Sequence, residues 1–284
     1  YFPGPLKLIN CISRISLTVI MVFGVVILSP FTFTIQAASA ETIDYTVTGG
    51  SLRFDITTGT IIDYTGYPTD LVIPSTINGV SVTSIGDRAF LGCIILSSIH
   101  LPDSITHISD RAFYNCSKLS SISIPASVAS IGNSTFSRCR NLSSISIPEG
   151  VISIGDRAFE YCSSITSISI PASVTCIGNS AFQGCSNLSV AYFYGNVPSM
   201  GRNVFNSTKE DLTIYYLAGK TGFTNPWLWS GWWDKGYPTA IFDPTLPGTN
   251  ISGNNQEATT NMANHQSSNW GCIGILVMML LIIF

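Results

Sequence analysis

The chain has 284 residues, enough for one large domain or two ordinary ones, and only 10% of them are charged against 45% hydrophobic. Two of its 13 basic residues, Lys7 and Arg14, fall within the first 40 positions, which leaves the remainder with 11 basic against 16 acidic residues. Without a Lys/Arg stripe to neutralise phosphates, that balance argues against nucleic acid as a partner.

In chain order, Lys7 and Arg14 precede the apolar run "ISLTVIMVFGVVIL", Ile15 to Leu28, which is followed by a polar and small stretch ending "QAASA" at Ala40. That three-part layout predicts a signal peptide over 1–40, cleaved after Ala38-Ser39-Ala40, because the run is short for a membrane span and the small-x-small site is well placed. Residues 41–80 then read as an N-terminal cap.

From residue 81 to 207 the chain repeats itself. Phe90, Phe113, Phe136, Phe159, Phe182 and Phe205 are spaced by 23, as are Cys93, Cys116, Cys139, Cys162 and Cys185, and Pro102, Pro125, Pro148 and Pro171. Within a unit, "SISIP" has the period-2 alternation of a half-buried strand, and the proline that ends it cannot donate to a ladder. A second short extended run follows in "SVASIG", with Val128 and Ile131 facing inward and a glycine at the corner. Then Asn133 stands where other units have Asp87, Asp110, Asp156 and Asn179, an N-cap residue ahead of one helical turn that carries Phe136, Cys139 and Leu142 on one side. No unit of this size buries such a stripe alone, so the repeats stack, with strands paired in parallel and Phe, Cys and Leu forming ladders.

The unit "L-x-x-I-x-I-P-x-x-V-x-x-I-G-x-x-A-F-x-x-C-x-x-L" resembles the BspA-type, or Treponema pallidum-type, leucine-rich repeat, over roughly Ile56 to Pro238. The resemblance implies a β-rich α/β solenoid: a right-handed leucine-rich-repeat stack of about 23-residue units with a parallel sheet and short helical turns. It also implies a binding or adhesion surface of the kind found on bacterial and some protist surface proteins. Two departures from the pattern stand out. Ser109 replaces the usual glycine in "ISDRAF", and near Leu188 the Ser-Ile-Pro strand gives way to "SVAYFYG" while Thr208 takes the cysteine place. There the regular array ends and a C-terminal cap, 208–243, begins.

Five of the eight cysteines fall on the ladder, where a free thiol behaves as a small buried hydrophobe, although neighbouring rungs about 4.8 Å apart also lie near disulfide reach. Cys176 lies outside the ladder, Cys11 in the leader and Cys272 in the tail. Regular 23-residue spacing without a paired CxxC does not match a zinc site. His100 and His107 stand three residues before Asp103 and Asp110, but no nucleophile elbow, phosphate loop or cofactor motif accompanies them. The chain therefore reads as a non-enzyme with no cofactor and no metal.

The outward strand positions are the candidate ligand-binding residues: Ser98 and His100, Ser121 and Ser123, Ser144 and Ser146, Ser167 and Ser169. Two polar columns with little charge suit many weak contacts with an extracellular protein or glycan. A plainer reading makes the same serines soluble filler on a structural cell-surface spacer. Trp229 and Trp232, in "NPWLWSGWWDKGYP", either stack on sugars or cover the open end of the core.

Residues 244–269 have almost no apolar content and read as a disordered linker. The uncharged "WGCIGILVMMLLIIF", 270–284, reaches only about 22 Å as a helix, short of a hydrocarbon core of about 30 Å. It reads as part of a transmembrane helix or as a sorting tail, so that the folded middle is secreted or held at the cell surface by its C-terminus.

Overall fold

A computed structural model describes residues 41–223, 236–242 and 250–251. The signal reading over 1–40, the hydrophobic tail at 270–284, nearly all of the 244–269 linker, and Trp229 and Trp232 lie outside them.

The alternating segments form the expected strands. Ser98–His100, Ser121–Ser123 and Ser144–Ser146 each turn one isoleucine inward, Ser167–Ile170 turns in two, and serines or His100 face outward. The second extended runs pair in parallel as well: Ile108, Ile131, Ile154, Ile177 and Met200 are successive lateral neighbours in one ladder. Val128 and Ile131 face inward, both essentially inaccessible. This ladder is continuous with the N-terminal cap, where Thr42–Val47, Gly50–Asp55 and Thr60–Gly66 run antiparallel and the last of them pairs in parallel with Ser84–Ile85. An antiparallel ribbon thus closes the first rung of a sheet that would otherwise present an open edge.

The third side of each repeat is not helical, and the expected helical turn is corrected here. No helix occurs among the described residues. Arg88, Arg111, Ser134, Arg157, Ser180 and Asn203 all adopt left-handed backbone, with φ between 53° and 58°, and a second left-handed column follows four residues later at Gly92, Asn115, Arg138, Tyr161, Gly184 and Ser207. A helix aims its N–H groups along its own axis at the residue four back. Here the left-handed residues re-aim alternate peptides, and the N–H of Phe90, Phe113, Phe136 and Phe159 donates to Ala112, Thr135, Ala158 and Ala181 of the next repeat, at 2.8 to 2.9 Å. Stacking thus takes the hydrogen bonds that a helix would have kept for itself.

The Asp/Asn column is consequently not a set of helix caps. Asp110 Oδ1 accepts from the Asn133 N–H at 2.7 Å, Asn133 Oδ1 from the Asp156 N–H at 2.8 Å, Asp156 Oδ1 from the Asn179 N–H at 2.7 Å and Asn179 Oδ1 from the Arg202 N–H at 2.8 Å. Each side chain ties its own repeat to the following one.

Between the three sides runs the core. The six phenylalanine rings stack with centroids 5.2 to 5.5 Å apart and planes within 12° of parallel. Tyr64 lies on the first ring and Tyr237 meets the last edge-on, its hydroxyl donating to the Phe205 carbonyl at 2.8 Å. Complete burial of each ring contributes about 1.5–3 kcal/mol. That gain requires a neighbouring repeat on both sides, which is why the two ends carry tyrosines from non-repeat sequence.

At "SVAYFYG" the ladder does not stop. Val190–Phe193 pairs in parallel with Ser167–Ile170, and Thr213–Leu217 and Thr239–Phe242 follow, with Asn250–Ile251 antiparallel on the last. Backbone pairing needs only an extended chain with apolar inward positions, and Ala191 and Phe193 fill those that isoleucines occupy elsewhere.

Candidate functional site

The outward face of the first sheet is built rung by rung. Parallel pairing sets Ser121 beside Ser98 and Ser144, and Ser123 beside Ser146, so the outward side chains form columns and the inward isoleucines seal the floor. Six of the predicted positions, Ser98, His100, Ser121, Ser123, Ser144 and Ser146, line one shallow open groove of about 450 Å³.

Ser167 and Ser169 are not in that groove. Their strand belongs to a second sheet with Val190–Phe193, and no ladder joins it to Ser144–Ser146. At other junctions a serine or threonine carbonyl accepts from the next repeat, as Ser97 does from Ser120 and Thr166 from Ser189, whereas this junction lacks the bond. Ile145, beside this seam, is half-buried where Ile99, Ile122 and Ile168 are buried. The serine columns are therefore one face interrupted by one parting.

Two groups at the ends of the face were not singled out from the sequence. At the N-terminal end, Asp70 and Val72 lie on the strand Asp70–Val72, which pairs with Ser98–His100. The Ser98 hydroxyl, followed by those of Thr69 and Ser97, donates to the Asp70 carboxylate and holds it below the usual carboxylate range. A 28-residue offset separates Asp70 from Ser98, five more than the repeat, and hides the correspondence. At the C-terminal end, the column of Ser169 continues in register into Tyr192 and Tyr215. Their rings stack at 5.3 Å, and Phe242 meets Tyr192 and Tyr194 edge-on at 5.1 and 5.3 Å. Desolvation, then the neighbouring Tyr215 and Tyr194, pushes the Tyr192 hydroxyl above its ordinary range. Two further steps of 23 from Ser169 point to both tyrosines, but their strands do not look like the repeat.

The thiols form the expected ladder away from this face. Cys93, Cys116, Cys139, Cys162 and Cys185 are free, and all but Cys93 are buried. No group of three or more His, Cys, Asp or Glu suited to a metal ion occurs among the described residues. No helix among them is long and apolar enough to cross a membrane.

The family model described as the BspA type leucine-rich repeat region matches six copies, over residues 67–189 and 107–221. The chain belongs to that family. Among solved structures it is similar to a leucine-rich repeat protein of T. pallidum, at 27% identity over 60% of this chain and 92% of that one, with a TM-score of 0.48. A leucine-rich repeat protein of Bacteroides ovatus is 26% identical over 64% of this chain and 63% of that one, with a TM-score of 0.47. A leucine rich cell surface protein of Faecalibacterium prausnitzii is 24% identical over 55% of this chain and 56% of that one, at a TM-score of 0.37. The chain thus spans less than two thirds of the length of the latter two. A search of curated proteins returns no match. In this BspA-type chain the repeat consensus is committed to the core, the corners and the inter-repeat ties, and the outward strand serines are exposed positions that the core does not use.

Proposed function

We propose that this BspA-type repeat protein is an exported binding or adhesion module that contacts protein or glycan ligands through its outward sheet face. The observation that carries the reading is the groove, in which Ser98, His100, Ser121, Ser123, Ser144 and Ser146 converge. A row of small hydroxyls over a sealed apolar floor offers donors and acceptors at regular spacing with little side-chain entropy to lose. The leader at 1–40 and the apolar segment at 270–284 support a place outside the cell, secreted or held at the surface by the C-terminus.

The test replaces Ser121, Ser123, Ser144 and Ser146 together by Lys and measures attachment of the full chain to cells or extracellular matrix. Exposed positions should leave thermal unfolding close to that of the parent while attachment drops. Unchanged attachment by a folded variant would leave the spacer role in its place.

A further inference from the structure

We propose that Tyr192, backed by Tyr215, is the ring-stacking platform for an extended, uncharged polysaccharide that lies along the serine columns, an inference that rests on the sheet face being the contact surface.

Register is the first argument. Ser169, Tyr192 and Tyr215 are lateral neighbours on successive parallel strands. Tyr215 stacks on Tyr192 from the rung that follows, and Phe242 reaches it from a strand later still. Both partners therefore lie on the C-terminal side, and the lateral neighbour of Tyr192 on the other side is the small Ser169. Apolar C–H faces of a pyranose ring match an aromatic face, while the sugar's equatorial hydroxyls match Ser and Tyr hydroxyls.

Charge is the second. From Ser121–Ser123 through Thr213–Leu217, the outward positions of the strands hold only Ser, Thr, Val, Tyr and Leu. At these strand positions an acidic ligand meets no cation, and a basic one meets no anion before Asp70 at the opposite end. Burying either type of charge there would cost desolvation with no pairing in return. A neutral polyhydroxylated chain loses nothing by that route.

Spacing is the third. Rungs of a parallel sheet lie about 4.8 Å apart, close to the length that one pyranose residue adds to an extended β-linked chain, so hydroxyls repeat in step with serines. The parting between Ser144–Ser146 and Ser167–Ile170 lies on the same track.

Calorimetric titration of the full chain with cellohexaose and with mannohexaose tests the proposal, with maltohexaose as a curved, α-linked comparison. Saturable binding of a β-linked hexaose, with maltohexaose weaker, is the expected result. Tyr192→Ala should weaken it roughly tenfold, Tyr192→Phe should keep it within about twofold, and Ser169→Lys, which leaves the aromatic cluster intact, should weaken it comparably. Absence of saturable binding into the millimolar range, or equal binding by parent, Tyr192→Ala and Ser169→Lys, overturns the saccharide assignment. If attachment still falls in the four-lysine variant, the sheet face stands and its ligand is a protein; if attachment is also unchanged, both readings fall together.

Discussion

The thiol of Cys139 donates to the backbone carbonyl of Phe113, 3.1 Å away and one repeat earlier. Cys116, Cys162 and Cys185 make the same bond to Phe90, Phe136 and Phe159. Each of these carbonyls already accepts an N–H from the cysteine of its own repeat, as Phe113 does from Cys116, so the thiol satisfies the second lone pair. Cysteine at this position is both a small apolar filler and an inter-repeat donor.

Cys139→Ala removes the sulfur and leaves a small void beside a carbonyl with one bond fewer, and should lower unfolding stability by about 1–2 kcal/mol. Cys139→Ser keeps a donor and should stay within about 1 kcal/mol of the parent. Denaturant titration of both variants separates the two roles. Equal stability for Ala and the parent would reduce the thiol to a spectator.

The ladder also sets a pH limit. Burial pushes the Cys185 thiol up from 9.0 to about 12, and Cys162 rises through burial and then its neighbour Cys185. Between those values the folded chain holds protons that the unfolded chain has released. Stability from this source is complete below about pH 9 and is lost as the pH climbs toward about 12. Thermal midpoints should therefore be level from about pH 7 to 8.5 and fall above pH 9, less steeply when the four buried ladder cysteines are replaced by serine. An identical fall in that variant would assign the loss to other groups.

The Asp110, Asn133, Asp156 column depends on its neutral middle. Asn133 gives its amide N–H to the Asp110 carboxylate and accepts from the Asp156 backbone. Asn133→Asp would remove that donor and set three carboxylates in a row, costing about 1–2 kcal/mol at pH 7. The deficit against the parent should shrink below about pH 4 as the introduced carboxyl takes up a proton. Urea melts of both chains at the two pH values check it; a deficit independent of pH would locate the cost in the lost hydrogen bond alone.

Tyr64 caps the phenylalanine stack at a price of one hydroxyl. Its Oη is buried with no hydrogen-bond partner, and Gly50 and Gly66 flank it so closely that a Cβ on either would collide with it. Tyr64→Phe keeps the ring on Phe90 and removes the unpaired group, so stability should be unchanged or raised by up to about 1 kcal/mol. A loss of comparable size on thermal unfolding would mean that the hydroxyl makes a contact of its own.

Much of this protein could be read from one dimension. Spacings of 23 in Phe, Cys and Pro, together with the alternation in "SISIP", determine a stacked solenoid, because residues that share a position in every repeat must share an environment in the stack. The same logic picks out Ser121, Ser123, Ser144 and Ser146 as outward, since period 2 leaves them no other side. Only the tertiary structure decided where the backbone hydrogen bonds of the third side go. Asp and Asn ahead of an apolar stripe look alike whether they cap a helix or tie one repeat to the next, and the neighbouring chain segment that settles it lies 23 residues away. It decided, too, that Asp70 belongs to the groove and that Tyr192 and Tyr215 extend the column of Ser169, because strand register depends on pairing geometry and tolerates a five-residue insertion or a complete change of side chains. The parting between Ser144–Ser146 and Ser167–Ile170 is not legible in the strands themselves, which read "SIS" and "SISI" like their neighbours, because whether a ladder closes depends on pairing between segments 23 residues apart.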